Sequence, residues 1–164
     1  SIKQWYPNDY VDVTYNDTYQ TEFFNDCDKG IIWGQTQTYT KEIAYSGKQS
    51  SVTNSTYNFS ITFEYPLKII PDSLKNEVNI DFRYYQQSLN HNAKLVVEAS
   101  GKTFSYFWYG MDLKPEMKDV NRWLYCKKSF IIPDSIRNAD VVKIYVYNPS
   151  NTNIYIDDLH IKFK

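Results

Sequence analysis

The sequence has few of the residues that break, bend or cross-link a chain: five glycines, six prolines, two cysteines and two histidines among 164 residues. It also has no run approaching the roughly 20 apolar residues that a helix needs to span a bilayer. Residues 1–10 (SIKQWYPNDY) lack the basic and apolar regions of a signal peptide. Since the chain begins without Met, we expect a mature or trimmed segment.

The two cysteines, Cys27 and Cys126, lie far apart, and neither has a second Cys or a His at metal-ligand spacing. This excludes a Cys/His zinc site of the usual spacing. Two buried thiols and one long-range disulfide both remain open.

The sequence also lacks an excess of positive or negative charge. Eighteen Lys plus Arg oppose 19 Asp plus Glu, scattered along the chain, for a net charge of −1. A phosphate backbone or an anionic membrane needs a concentrated basic surface, so we expect no nucleic-acid partner and no membrane span.

The usual signatures of catalysis are absent as well. The sequence contains no Gly-rich phosphate loop, serine elbow or HExxH motif. His91 and His160 have no evident nucleophile nearby in sequence, and a catalytic base needs a positioned partner. We therefore expect a protein that is not an enzyme and has no catalytic residues.

What the sequence has is aromatic residues: 16 Tyr, nine Phe and four Trp. Such residues favour strands, and short alternating runs recur between turn signals. This pattern predicts an all-β fold, an antiparallel β-sandwich or barrel, in one domain over 22–164, with 1–21 as a linker or edge strand. The predicted strands are 22–27, 41–45, 56–65, 76–88, 93–99, 102–109, 122–132, 141–147 and 153–163.

Alternation assigns a face to many of these aromatic residues. In 78–87, for example, Val78, Ile80, Phe82 and Tyr84 form the apolar set, which leaves Arg83 and Tyr85 on the wet face. Exposed rings, together with the polar groups beside them, are candidates for contacting a ligand. Core or cross-strand packing of each ring stays open as the alternative. The candidate ligand-binding residues are Arg83, Tyr85, Gln87, Trp108, Trp123, Tyr125, Tyr145 and Tyr147.

The aromatic run 104–110 has rings on both faces. We interpret it as a strand that ends at a loop tip, where Tyr109, Gly110 and Met111 could flank a ligand cleft.

Three stretches, in order, carry a family resemblance: 24–33 with Asp28 before a Gly-containing turn and Trp33, 44–52 with Gly47, and 153–163 with Asp157 in the closing strand. Together they resemble the calcium-stabilised, galactose-binding-like jelly-roll family of carbohydrate-binding modules, over residues 22–163. The resemblance implies a bacterial exported protein that handles glycans.

The resemblance also implies a structural Ca²⁺ ion. Asp28 and Asp157 would supply carboxylates, and backbone carbonyls near Lys48 and Ser50 would complete the shell, because calcium takes six to eight oxygen ligands. Ordinary strand-end acids that make turn hydrogen bonds remain the alternative for Asp157 and its neighbour Asp158.

The expected function is thus a non-catalytic carbohydrate-binding module. Its partner would be an oligo- or polysaccharide, its location secreted, periplasmic or on the cell surface, and other domains would flank it in a longer chain. Two alternatives stay open: a structural or protein-interaction sandwich without a sugar site, and a small hydrolase, which a cleft holding two acids would favour.

Overall fold

The structure, a computed structural model, describes residues 19–31, 33–113 and 118–164, and the backbone of two short strands before them. These are β1 (Ile2–Lys3) and β2 (Asp12–Val13), which pair antiparallel. Most of the segment 1–21, predicted as a linker or edge strand, lies outside the described residues, so the domain boundary stays a prediction.

The remaining strands form two antiparallel sheets. The six-stranded sheet has the order β10-β7-β12-β5-β4, with β3 also paired to β12, and the four-stranded sheet has the order β6-β11-β8-β9. This confirms the predicted all-β sandwich. The strands are β3 (Glu22–Asn25), β4 (Tyr39–Thr40), β5 (Ser50–Thr53), β6 (Phe63–Tyr65), β7 (Glu77–Gln86), β8 (Lys94–Gly101), β9 (Phe104–Asp112), β10 (Trp123–Ile131), β11 (Val141–Tyr147) and β12 (Ile154–Phe163).

The helical segments in the described part of the chain are single 3-10 turns at Thr36–Thr38, Leu67–Ile69, Asp72–Leu74 and Asp134–Ile136. Among the described residues, no helix is long and apolar enough to cross a membrane.

The core lies between the two sheets and follows the predicted alternation. Every second residue of β7 is buried, because successive side chains of a strand point to opposite faces. β10 follows the same alternation, and β11 follows it except at Tyr145, which the pattern placed on the wetter face but which is only 5% exposed. The predicted core residues of these strands are all buried: Val78, Ile80, Phe82, Tyr84, Leu124, Cys126, Phe130, Ile132, Val142, Ile144 and Val146.

Two predicted strands are wrong. Residues 41–45 belong to a loop, because the backbone N–H groups of Tyr45 and Ser46 donate to the carboxylate of Asp157 and not to a strand. The segment 56–65 forms a strand only over Phe63–Tyr65, preceded by single bridges from Phe59 to Tyr147 and from Thr62 to Gly34. At its start the Asn54 side chain accepts the N–H groups of the second and third residues after it, and such a turn competes with a ladder.

Cys27 and Cys126 are separate, buried thiols. Cys27 lies just after β3, next to Asp157, Asp28, Asp26 and Asp158. Burial, together with these four carboxyls, raises the pKa of the Cys27 thiol well above its ordinary value. The thiol is therefore held in its unreactive, protonated form.

Candidate binding cleft

An open cleft of about 450 Å³ lies on the outer face of the four-stranded sheet. We call this surface the cleft face. Four of its ten lining residues are aromatic residues of β9 and β11, and three are charged. The lining residues are Gln35, Phe59, Thr62, Glu64, Glu98, Tyr106, Trp108, Lys143, Tyr145 and Tyr147.

Strand register brings these side chains together in rows. One row across the sheet contains Glu64, Lys143, Glu98 and Trp108, from β6, β11, β8 and β9. The next row contains Tyr145, Val96 and Gly110. Neighbours in a row share a face and lie within side-chain reach, so residues far apart in sequence form one continuous floor.

A hydrogen-bond network fixes three aromatic side chains on this floor. The Tyr106 hydroxyl donates to Glu98 Oε2, and the Tyr145 hydroxyl donates to the same oxygen at 3.1 Å. A further hydrogen bond joins the Trp108 side chain to Tyr145. Because indole Nε1 is only a donor, the tyrosine hydroxyl accepts this bond.

The ionisation of these tyrosines responds to the same groups. Desolvation and then the Glu98 carboxylate raise the pKa of Tyr106 to about 12. Burial and the same carboxylate raise the pKa of Tyr145 further above its ordinary value of 10.0. Both hydroxyls stay protonated in the physiological range, so the network keeps its donors there.

The rest of the cleft combines a ring wall with a charged pair. Phe59 is 41% exposed and stacks on Tyr147, with ring centroids 5.4 Å apart, and its ring meets Tyr145 edge to face. Across the cleft, Lys143 Nζ lies 3.6 Å from Glu64 Oε1. The cleft therefore offers apolar ring faces beside both hydrogen-bond donors and acceptors.

The structure separates the predicted ligand-binding residues into two groups. Trp108, Tyr145 and Tyr147 line the cleft. Arg83, Tyr85, Trp123 and Tyr125 lie together on the outer face of the other sheet, and Gln87 is exposed just after β7. Sequence reasoning missed Phe59, Tyr106, Glu64, Glu98 and Lys143, because the pairing register that assembles them is not visible in one strand.

The interpretation of 104–110 as a strand ending at a loop tip was wrong. β9 continues to Asp112, and only Gly110 of the three proposed flanking residues faces the cleft, since Tyr109 and Met111 alternate to the inner side. There the Tyr109 ring packs on Phe130 at 5.4 Å.

The outer face of the six-stranded sheet is covered in part by residues 41–49, and we call it the loop-covered face. The Arg83 guanidinium lies 4.7 Å from the Tyr45 ring centroid and 4.6 Å from that of Tyr125. Trp123 meets Tyr45 and Tyr85 edge to face. These rings pack on one another and on a cation; Tyr85 and Trp123 are half-buried, whereas Tyr45 and Tyr125 stay 44% and 43% exposed.

The two histidines are held by structural hydrogen bonds. His91 is buried, accepts the Ala93 N–H at Nδ1 and places Nε2 2.7 Å from Gln86 Oε1. His160 lies between Asp81 and Glu22, at 2.9 and 2.7 Å. Burial by itself would lower the pKa of His160, but these hydrogen bonds outweigh it and raise the pKa.

Asp157 lies beneath the loop 41–49 on the loop-covered face and is completely buried. Its Oδ2 accepts the N–H groups of Tyr45 and Ser46 at 2.8 and 3.1 Å, and its Oδ1 accepts that of Asp158 at 2.8 Å. Burial raises the pKa of Asp157 to about 7 although these hydrogen bonds act in the opposite direction, and the carboxyl of Asp158 adds to the rise. A buried, uncompensated negative charge is the cause.

The second acid, Asp28, contacts the same loop. Its Oδ1 accepts the Lys48 N–H at 2.9 Å, and its buried Oδ2 has no hydrogen-bond partner among the described residues. Gly47 adopts φ +61° directly against it, and a Cβ at Gly47 would lie 2.6 Å from Asp28 Cγ. The left-handed backbone and the nearby carboxylate together favour glycine at position 47.

Asp28 and Asp157 have some, but not all, of the features of a calcium site. A carboxylate oxygen without a partner and a fully buried carboxylate are the donors that calcium prefers. However, no group of three or more His, Cys, Asp or Glu among the described residues is arranged to hold a metal. Backbone carbonyls would have to complete the shell. The contacts observed at these two residues involve other atoms: the Lys48 N–H donates to Asp28, and the Ser50 hydroxyl donates to the Ile43 carbonyl. The roles of the carbonyls near Lys48 and Ser50 as calcium ligands stay predictions.

The fold is a β-sandwich similar to those of several solved carbohydrate-binding domains. The CBM22-1 xylan-binding domain of Paenibacillus barcinonensis Xyn10C superposes with a TM-score of 0.55 at 17% identity, over 76% of this chain and 78% of that one. The C-terminal family 22 carbohydrate binding module of Clostridium thermocellum Xyn10B gives 0.54 at 16%, over 76% and 78%. The CBM22-2 xylan-binding domain of the Paenibacillus protein gives 0.54 at 16%, over 77% and 85%.

No protein-family profile and no curated protein matches the sequence. At the identities above, the likeness to solved structures establishes the fold. The jelly-roll part of the sequence resemblance is thereby confirmed, while calcium and bacterial export stay predictions.

Proposed function

We propose that this protein binds an oligo- or polysaccharide in the cleft and does not cleave it. The observation that carries the proposal is the floor of the cleft, where Trp108, Tyr106 and Tyr145 are held by hydrogen bonds around one carboxylate, Glu98. A rigid ring beside a fixed acceptor pays little ordering entropy when it binds a ligand.

The chemistry of the cleft suits a sugar. The apolar faces of pyranose rings stack on aromatic side chains, and Trp108 and Tyr106 are 43% and 63% exposed. Glu64, Glu98, Lys143 and Gln35 offer charged or amide groups for hydroxyls. Solved structures with a similar fold include xylan-binding domains, so soluble xylan is the first ligand to test.

The hydrolase alternative has one observation in its favour, since the cleft holds two carboxylates, Glu64 and Glu98. They lie on β6 and β8, with Lys143 of β11 between them in the same row. Two strand spacings separate their backbones by about 10 Å. The Lys143 ammonium pairs with Glu64, and two tyrosine hydroxyls bind Glu98, so both groups already serve to shape the cleft.

Calcium belongs to the proposal as a structural ion. Asp28 and Asp157 would hold it with carbonyls near Lys48 and Ser50, and the ion would neutralise the buried negative charge at this end of the sandwich. It would tie β12 to the loop 41–49 and take no part in contacting the sugar.

We further propose a secreted, periplasmic or cell-surface location in a longer, glycan-handling bacterial protein. The aromatic cleft suits a ligand outside the cell, and the sandwich would serve there as an accessory domain beside other domains.

The test is binding to a panel of soluble xylan, β-glucan, glucomannan and galactan, by native gel retardation and then calorimetry with oligosaccharides. Trp108→Ala should weaken binding to the preferred glycan by at least about 30-fold, because truncating a central aromatic side chain costs about 2 kcal/mol. The matched control is Trp123→Ala, a tryptophan on the loop-covered face, which should bind like the wild type.

Release of reducing ends is measured in the same samples. Product formation that Glu98→Gln abolishes would establish hydrolysis and overturn the non-catalytic proposal. Absence of binding to every glycan would leave the structural or protein-interaction alternative as the function.

A further inference from the structure

Gly110 lies on β9, the edge strand of the four-stranded sheet, beside the cleft residue Trp108. It belongs to the row of Tyr145 and Val96, and it follows Trp108 by two residues on β9. Residues two apart on a strand share a face, so the Trp108 side chain and the bare Cα of Gly110 are neighbours on the cleft side.

The indole of Trp108 occupies the space that a side chain at position 110 would need. A Cβ on Gly110 would lie 2.6 Å from Trp108 Cη2, 3.0 Å from Cζ3 and 2.8 Å from Lys94 Cδ. The six-membered part of the indole therefore lies over the Gly110 backbone, along β9. Gly110 does not adopt a positive φ, so space and not backbone conformation requires glycine here.

One further contact holds the same ring, a hydrogen bond that joins the Trp108 indole to Tyr145. The Lys94 stem, which would also meet a Cβ at position 110, is fixed by an ion pair between its ammonium and Asp112. The space left by the absent side chain at position 110 and the hydroxyl at the indole nitrogen therefore both favour the observed ring position.

We propose that Gly110 is a positioning residue that sets the pose of Trp108, so that the indole lies along the sheet and presents a flat face to the sugar. A side chain at position 110 lifts the ring and removes that face. This inference rests on the proposed function for its effect on binding, but the ring pose itself can be tested without any ligand.

The variant is Gly110→Ala, and its matched control is Gly34→Ala. Gly34 borders the same cleft through Thr62 and Glu64, also has no positive φ, and a Cβ there would lie at ordinary contact distances of 3.4 Å or more. Both variants should fold, since the atoms that Gly110→Ala displaces belong to partly exposed side chains.

The first readout is fluorine NMR of the protein labelled with fluorotryptophan, with the Trp108 signal assigned by Trp108→Phe. Gly110→Ala should shift the Trp108 signal, and Gly34→Ala should leave it in place. An unmoved Trp108 signal in Gly110→Ala would overturn the inference.

The second readout is affinity for the glycan found in the panel above. Gly110→Ala should weaken binding at least tenfold, and Gly34→Ala by less than twofold. In a Trp108→Phe background the Gly110→Ala change should have little further effect, because phenylalanine lacks the two indole atoms that conflict with the new methyl group. A moved signal with unchanged affinity would refute the positioning role.

If the wild-type protein binds no glycan, the proposed function fails. The fluorine signal then still decides whether Gly110 sets the ring pose, so the two failures are distinguishable.

Discussion

The two outer faces of the sandwich carry similar residues and use them differently. On the loop-covered face, Arg83 lies against the rings of Tyr45 and Tyr125, and Trp123 packs edge to face against Tyr45 and Tyr85. The loop 41–49 is joined to buried Asp157 by hydrogen bonds. On the cleft face, Trp108 and Tyr106 are held at their polar atoms, and their ring faces stay open.

The two faces differ in the kind of contact that holds each aromatic ring in place. Rings that contact other rings and a guanidinium contribute to stability, and this holds also for Tyr45 and Tyr125, which are 44% and 43% exposed. Rings anchored by hydroxyl and indole hydrogen bonds keep an apolar face free. The loop-covered face should therefore determine stability, and the cleft face should determine binding.

The largest expected effect is on the loop-covered face, from Asp157→Ala. Three backbone N–H groups lose their acceptor, and unsatisfied buried donors cost about 1–3 kcal/mol each, so we expect a loss of about 3 kcal/mol in the free energy of unfolding. Urea denaturation with chelator present measures it. Asp134→Ala, whose carboxylate is 98% exposed, is the control. A loss no larger than that of the control would break the comparison.

Gly47→Ala should cost about 2 kcal/mol, since a left-handed conformation disfavours any Cβ by about 1–2 kcal/mol and the Asp28 carboxylate would also have to move. The same denaturation experiment applies, with Gly34→Ala as the control because it lacks both problems. Equal stability of the two variants would show that the loop 41–49 is not anchored in this way.

The pH dependence sharpens the role of the buried acid. The pKa of Asp157 is raised to about 7 from its ordinary value of 3.8. In chelator, the folded state holds a proton between about pH 4 and 7 that the unfolded state releases, so the contribution of Asp157 to stability falls as the pH rises through this window.

Thermal midpoints of wild type and Asp157→Asn, measured from pH 4.5 to 8, isolate this contribution as their difference. Calcium should remove the fall and raise the midpoint, because an ion that binds only the native state stabilises it by mass action. A wild-type midpoint indifferent to calcium at every pH would exclude the proposed ion.

The smallest expected effect comes from removing one tyrosine hydroxyl from the cleft face, compared with removing one from the loop-covered face. Tyr145→Phe removes a donor to Glu98 and an acceptor for Trp108, so glycan affinity should fall about fivefold, or about 1 kcal/mol. Tyr125→Phe, on the loop-covered face, should leave affinity unchanged. Calorimetry with the same oligosaccharide compares them, and equal losses would show that the two faces are not functionally distinct.

Much of the fold was predictable from local pattern. The period of two residues places Val78, Ile80 and Phe82 in the core, since one face of each strand is dry. Strand predictions failed where a side chain, and not a neighbouring strand, accepts the backbone N–H groups. At Tyr45 and Ser46 the acceptor is an acid more than 100 positions later in the sequence. No local pattern contains such a partner.

For the site, the sequence by itself predicted that rings lie on wet faces. It favoured the rows of Arg83 and Tyr85 and of Trp123 and Tyr125, which lie on the loop-covered face, and it named Trp108 and Tyr145 only as further candidates. Only the tertiary structure decided which face is open, because the order and register of the strands bring Trp108 of β9, Glu98 of β8 and Tyr145 of β11 side by side, and the loop 41–49 onto Arg83 and Trp123. Alternation fixes the face within one strand, whereas a binding surface is a property of several strands paired in register.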